Sequence, residues 1–452
     1  MIHLLESLVD KSLVWFEDSR GRYRLSEPVR QYASEIGEAS EDHEAVRQAH
    51  TDWCIEFAET ADARLRGPEH RTWMVRLLEA RDNFRSALDR HPSVPLAAAL
   101  SRFWRIKGDY GEGIHYLTNA LAQAGEVPSA LRAKALSGLG ELFFARSDYV
   151  KAKQCFEVSL ELGHAGSLNL LAKVSHEQGD DDITLRLAEE SLRAARLSGD
   201  SSEIANSLMT LSYAVQSRTG GTSGAELLAE ALALHRTLGD QIGTAYCLIR
   251  LTHLCRHSQD PSLNQRQYLE ALGIFQALDD RSGIATTHFG LAQEAIRAGS
   301  YSDAVTHWRE ALRIYQALGE RRGVVVTLAY LGRALANGGE LAEAKELLCQ
   351  SLSLCQVVTA KGGSITSIEC LAVLLTRLHR YDLATQLIAY SNLLRDEIGT
   401  IRSPQANAEF SDLMKESLNA LGDEEFQKQY KAGETLNETQ ILTLMSSVNA
   451  MG

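Results

Sequence analysis

From His43 onward, apolar residues recur three and four apart in runs broken by short polar or glycine-bearing turns. That is the pattern of amphipathic helices burying one face. The turns read Gly108-Asp109-Tyr110, Ser147-Asp148-Tyr149, Gly179-Asp180, Gly299-Ser300-Tyr301 and Gly338-Gly339-Glu340. Helix endings repeat about every 40 residues: RLSGD (196–200), TLGD (237–240), ALDD (277–280) and ALGE (317–320). Glycines follow at a fixed offset, at Gly243, Gly283, Gly323 and Gly363. A period of this length built from helix pairs predicts a solenoid. About eight units are expected, starting near residues 94, 133, 165, 205, 245, 285, 325 and 365. The unit near 165 is shorter. The unit near 245 carries Asp260-Pro261 in its turn and Asn264 where alanine is usual, so it is the least regular.

The spacing within units is informative. Leu136, Leu139-Gly140 and Phe143, then Ala152 and Phe156 after a turn, resemble the tetratricopeptide repeat (TPR) signature. Leu328, Leu331-Gly332, Leu335, Ala344 and Leu348 repeat it, and Ala304, Trp308 and Ala311 match its second half. Small residues such as Gly140 and Gly332 are expected where helix backbones approach, with Phe143, Phe156 and Trp308 filling the space beside them. The fold class expected is therefore all-α: a right-handed TPR superhelix (α-solenoid), preceded by a small winged-helix-like remnant containing a β-hairpin.

Four regions are predicted. Residues 1–38 read as a partial winged helix: a helix, β-prone Leu13-Val14-Trp15-Phe16, a turn at Asp18-Ser19-Arg20-Gly21, alternating Arg22-Tyr23-Arg24-Leu25, and a helix entered through Ser26 or Glu27 with Pro28 in its first turn. Residues 39–93 read as a connector of two amphipathic helices broken at Leu65-Arg66-Gly67-Pro68. The repeat array spans 94–398. Residues 399–452 read as a helical cap, with helices over 406–421, 423–431 and 437–448.

Composition narrows the function. The 452-residue chain has a net charge of −13, which argues against nucleic acid as the main partner. No apolar run approaches the roughly 18 residues of a membrane span. Seven scattered cysteines without CxxC spacing fit a reduced, cytoplasmic protein.

Three blocks carry a further resemblance: LLESLVDKSLV with RYRLSEPVRQYASE, RLRGPEHRTWMVRLLEARDNFRSAL, and the terminal ESLNALGDEEFQKQYKAGETLNETQIL. They resemble the carboxy-terminal half of bacterial STAND-class regulators, signal-transduction ATPases with a winged helix and a TPR sensor. The resemblance implies a sensor scaffold, with the family's nucleotide-binding domain expected before Leu4. No GxxxxGK[ST] loop occurs in the chain; Lys361-Gly362-Gly363-Ser364 lacks the spacing. The expectation is thus the sensor part of a STAND-type regulator, a fragment or a stand-alone descendant, signalling to a separate ATPase or effector chain. Leu8, Leu13, Val14, Trp15 and Phe16 are then expected to be poorly covered.

In TPR proteins the first helix of each unit lines the concave groove. That face collects Arg102, Arg105, Lys134, Asn169, Lys173, Asn206, Tyr213, His253, Arg256, Gln293 and Arg333, against Glu141 and Glu369. Six basic and two acidic residues suggest a protein or peptide partner of acidic character, held by bidentate arginine contacts. The alternative is a transcriptional regulator subunit touching DNA phosphates through Arg20, Arg22, Arg24 and Arg30, diluted by Glu17, Asp18, Glu27 and Glu35. No catalytic set, metal site or cofactor is expected. His253 and His257 share a helix face, but Cys247 and Cys255 fall on another, apolar stripe.

Overall fold

The computed structural model describes residues 2–17, 22–38, 42–219, 222–255, 261–355, 361–400, 402, 404–437 and 440–441. The chain opens with α1 (Ile2–Asp10), β1 (Val14–Glu17), β2 (Arg22–Leu25) and α2 (Glu27–Glu38). The strands pair antiparallel, Val14 opposite Leu25 and Glu17 opposite Arg22. The Phe16 and Tyr23 rings lie 4.8 Å apart across the pair. This piece buries little. Leu4 is 71% and Trp15 56% exposed, and Leu8, Leu13, Phe16, Tyr32 and Ile36 are also exposed. Val14 departs from expectation: it is only 3% exposed. The hairpin turn at residues 18–21 lies outside the described residues.

Two helices, α3 (His43–Arg64) and α4 (His70–Arg90), precede the array. Eight helix pairs follow: α5 (Val94–Lys107) with α6 (Tyr110–Gln123), α7 (Ser129–Ala145) with α8 (Tyr149–Glu161), and α9 (Ser167–Gln178) with α10 (Asp181–Ser198). Next come α11 (Ser201–Thr219) with α12 (Ala225–Leu238), α13 (Gln241–Cys255) with α14 (Pro261–Leu278), and α15 (Arg281–Arg297) with α16 (Tyr301–Leu318). The last are α17 (Arg321–Gly338) with α18 (Leu341–Cys355), and α19 (Lys361–Arg377) with α20 (Tyr381–Ile398). Helix α3 packs on α5 as α5 packs on α7, so the leading pair continues the stack.

The repeat has a physical unit. Gly243, Gly283 and Gly323 each lie under the ring eight residues earlier, of His235, Phe275 and Tyr315, where a Cβ would overlap the ring. Asp240 and Asp280 accept from the backbone N–H of Gly243 and Gly283 at 2.9 Å, capping the next helix. Within pairs, Gly140 admits the Phe156 ring and Gly332 the Leu348 side chain. The irregular Asn264 is buried and donates its amide to Glu294 Oε2 at 3.3 Å.

The superhelix also meets itself. Five pairs after α5–α6 the chain returns to it: Leu318 fills the space where a Cβ on Gly108 would stand, and the φ of +77° there separately favours glycine. Lys107 pairs with Asp279, and the Tyr110 hydroxyl donates to Glu320. Further along, the Arg322 backbone N–H donates to Ser147 Oγ at 3.0 Å, and its guanidinium pairs with Glu177. Val325 joins Tyr149 and Phe156 in one buried cluster.

After the array, α21 (Pro404–Leu421) and α22 (Asp423–Glu434) pack against α20. Gly433 lets α22 approach the backbone of Gln386. Most of the helix expected over 437–448 lies outside the described residues.

Candidate binding site on the inner face

The first helices of successive pairs bring a belt of charged and aromatic side chains to the inside of the superhelix. Because the chain returns on itself, this belt is faced by a later turn rather than left as an open groove. Arg102 and Lys134 both bind Asp62 of α3, Arg102 Nε to Oδ1 at 3.0 Å and Lys134 Nζ to Oδ2 at 2.8 Å. Burial works to raise the Asp62 pKa, but these two cations hold it below its ordinary value. Arg105 Nε sits 3.3 Å from Glu141. Burial works to lower the Arg105 pKa; Glu141 and Asp280, from two different turns, override it.

Deeper along the belt, the Arg250 guanidinium lies 3.3 Å from the centroid of the Tyr213 ring and donates to Gln216. Burial raises the Tyr213 hydroxyl pKa. Glu177, with burial opposing, holds the pKa of Arg322 above its ordinary value. Glu320 stands at the repeat's capping position, where Asp240 and Asp280 bond the following helix; it makes no such cap and reaches across to Tyr110 instead. Burial pushes its carboxyl up to about 7, against the hydrogen bonds from Tyr110 and Ser282.

Two of the expected residues are differently placed. Asn169 is 3% exposed, and its Oδ1 has no hydrogen-bond partner. Among the described residues, Lys173 has no carboxylate at ion-pair distance, and burial lowers its pKa. Asn206, His253 and Gln293 are half-buried on the first helices α11, α13 and α15. Arg256 and His257 lie outside the described residues.

The far end of the face is engaged by the chain's own last segment. Arg333 pairs with Glu409 of α21. Glu369 accepts from Arg395 Nε at 2.7 Å and from Arg402 Nε at 2.8 Å. Arg402 also donates to Asn392 and Ser391 and lies over the Phe410 ring.

The sequence-predicted excess of cations is therefore largely neutralised. Asp62, Glu177, Asp280 and Glu320 balance the face, and Arg250 and Arg322 add to it. Arg250 falls on the first-helix face three residues before His253, so the helical spacing could have found it. Glu320 and Arg322 stand at a helix start, and only the return of the chain brings them inside.

The cysteines behave as apolar packing: Cys54, Cys247, Cys349 and Cys370 are buried, and burial pushes the Cys247 thiol up to about 12. Among the described residues no group of three or more His, Cys, Asp or Glu side chains is placed to hold a metal ion. No described helix is long and apolar enough to cross a membrane.

No protein-family model matches the chain, and no curated protein does. Among solved structures, a Rap protein complexed with competence and sporulation factor matches with a TM-score of 0.56 and 13% identity, over 78% of this chain and 98% of that one. The apo form of RapI matches with a TM-score of 0.44 and 12% identity, over 59% of this chain and 98% of that one. A signal-transduction ATPase (STAND) protein with a tetratricopeptide repeat sensor, from Pyrococcus horikoshii, matches with a TM-score of 0.47 and 14% identity, over 91% of this chain and 60% of that one. The last two likenesses are too distant to carry an argument. What the first one shows is the fold: a superhelix of TPR-like helical repeats.

Proposed function

We propose that the chain is a non-enzymatic interaction scaffold whose inner face takes a peptide or protein segment with acidic character. The observation that carries this reading is the Asn169–Lys173 step on α9. Most of the charged groups around it are matched by their own neighbours, whereas this turn of helix offers an open amide acceptor and a cation without a carboxylate. An extended chain supplies both complements: a backbone N–H for Asn169 Oδ1 and a carboxylate for Lys173. Leaving such groups buried and unmatched costs about 1–3 kcal/mol, which a ligand would recover.

The same reading makes the chain the sensor part of a STAND-type regulator acting on a separate ATPase or effector chain in the cytoplasm. The sequence blocks quoted above support it, as does the helix–hairpin–helix lead-in with its exposed apolar side chains. The test is a peptide-array measurement with the intact chain, comparing acidic peptides with the same peptides carrying glutamine for glutamate. Acidic peptides should bind selectively, and Lys173→Ala should weaken them about tenfold, the loss of a single charge-assisted bond. Equal binding of both series, or no effect at Lys173, refutes the acidic-ligand reading.

A further inference from the structure

We propose that the contact between the first three helix pairs and the fifth to seventh is a releasable closure that gates the inner face. This rests on the inner face being the binding surface, but its test needs no ligand.

In a solenoid each pair is stabilised by its immediate neighbours. The closure is an additional contact between pairs far apart in the stack, so it can open without unstacking any of them. Its composition suits opening. The closure is mixed: Leu318, with Tyr315, Val324 and Ala285, joins the buried cluster around Leu100, Trp104 and Tyr110, and Val325 lies beside Tyr149. The remainder is Lys107 with Asp279, Tyr110 with Glu320, Ser147 with the Arg322 backbone, and Glu177 with the Arg322 side chain. Apolar side chains rimmed by ion pairs and hydrogen bonds make an interface like those between domains of one chain, where relative motion is expected. The closure also has an occupancy consequence. Arg105, partly exposed, has Glu141 of the second pair 3.3 Å from its Nε and feels Asp280 of the later turn, so separation of the turns widens the space a peptide finds beside it.

The test is a charge swap across the closure, Arg322→Glu and Glu177→Arg, singly and together, read by small-angle X-ray scattering and far-UV circular dichroism. Each single reversal places like charges face to face. The expected result is a larger radius of gyration with full helical ellipticity, and return to the parent radius in the double variant. Lys107→Glu, opposing Asp279 at the exposed end of the closure, gives the same expansion and decides the matter if an Arg322 or Glu177 variant does not fold. Parent-like scattering in the single variants overturns the proposal. So does expansion accompanied by loss of helix, which would make the closure part of the folding unit, and so does a double variant that stays expanded. Failure to bind any peptide leaves these outcomes untouched, so the two readings stand or fall separately.

Discussion

The Tyr110 hydroxyl donates a 2.5 Å hydrogen bond to Glu320 Oε1 across 210 residues of chain. It ties the first helix pair to the junction between the sixth and seventh, and it does so with a half-buried carboxyl. Burial raises the Glu320 carboxyl to about 7. The folded chain therefore keeps a proton that the unfolded chain gives up above the ordinary glutamate value. Stability from this group is fully present below pH 4.5 and declines as pH rises through 7, by roughly 3 kcal/mol at most. Asp280 adds to the trend, because burial raises it too. The groups facing Glu320 are Tyr110, Ser282, Asp280, Tyr149, Tyr246 and Tyr315. Urea midpoints measured between pH 6 and 8 should fall with rising pH in the parent and flatten in Glu320→Gln.

Glu112 pulls the opposite way at acid pH. Burial would raise its pKa, yet Arg85 and Arg81 hold it down at about 2. Its contribution is present above the ordinary glutamate value and is lost as pH falls toward 2. Glu112→Gln should therefore lower the urea midpoint near neutrality and remove part of the acid sensitivity below pH 4. An unchanged acid limb would show that the two arginines contribute nothing there.

The ring–glycine unit yields a matched pair of substitutions. Gly283→Ala drives a methyl group into the Phe275 ring and should cost about 1–3 kcal/mol. Gly111→Ala, on α6 with open space around it, should stabilise by up to about 1 kcal/mol, because alanine favours the helix. Thermal unfolding of both variants checks the contrast.

Equivalent positions differ in a measurable way. His235 Nδ1 lies 2.9 Å from Asp240 Oδ2, and with burial opposing, that bond and the Gly243 N–H keep the Asp240 pKa below its usual value. Phe275 offers no such donor, and burial raises Asp280 instead. His235→Phe should shift Asp240 upward in a carboxyl-resolved NMR titration and cost about 1–3 kcal/mol at neutral pH.

Much of this architecture was legible in the residues. The Leu139-Gly140 and Phe156 spacing encodes a close helix crossing, and the glycines at 243, 283 and 323 mark the place where each ring packs. Such contacts are local, so their periodicity survives in the sequence. The first-helix stripe was legible only as a spacing: it put Arg102, Arg105 and Lys173 on one line, and Arg105 does lie near both of the others. Its partners were not. Asp280, Glu320 and Arg322 reach Arg105, Tyr110 and Glu177 only because of the accumulated rotation from pair to pair, a small angle that no single spacing records. Asp62 was missed for another reason. It belongs to α3, which was expected to connect rather than to stack.

The lead-in segment makes a separate prediction. Replacing exposed Leu4 by Gln and Trp15 by Thr removes apolar surface without opening a core. Stability should stay within about 0.5 kcal/mol, while binding of a hydrophobic dye falls. A large loss of stability would mean that these side chains pack against the array.

The contact of Leu318 with Gly108 turns the array into a ruler. An open solenoid can gain or lose a unit anywhere, since each copy needs only a neighbour. Here the five pairs between those two residues are counted. One extra 40-residue copy inserted between α9 and α14 would carry Leu318 a full step past Gly108, whereas a copy added beyond α18 would leave their meeting intact. Length is counted at the far end as well, because Glu409 of α21 comes back to Arg333 of α17 and a copy placed between them would part that pair.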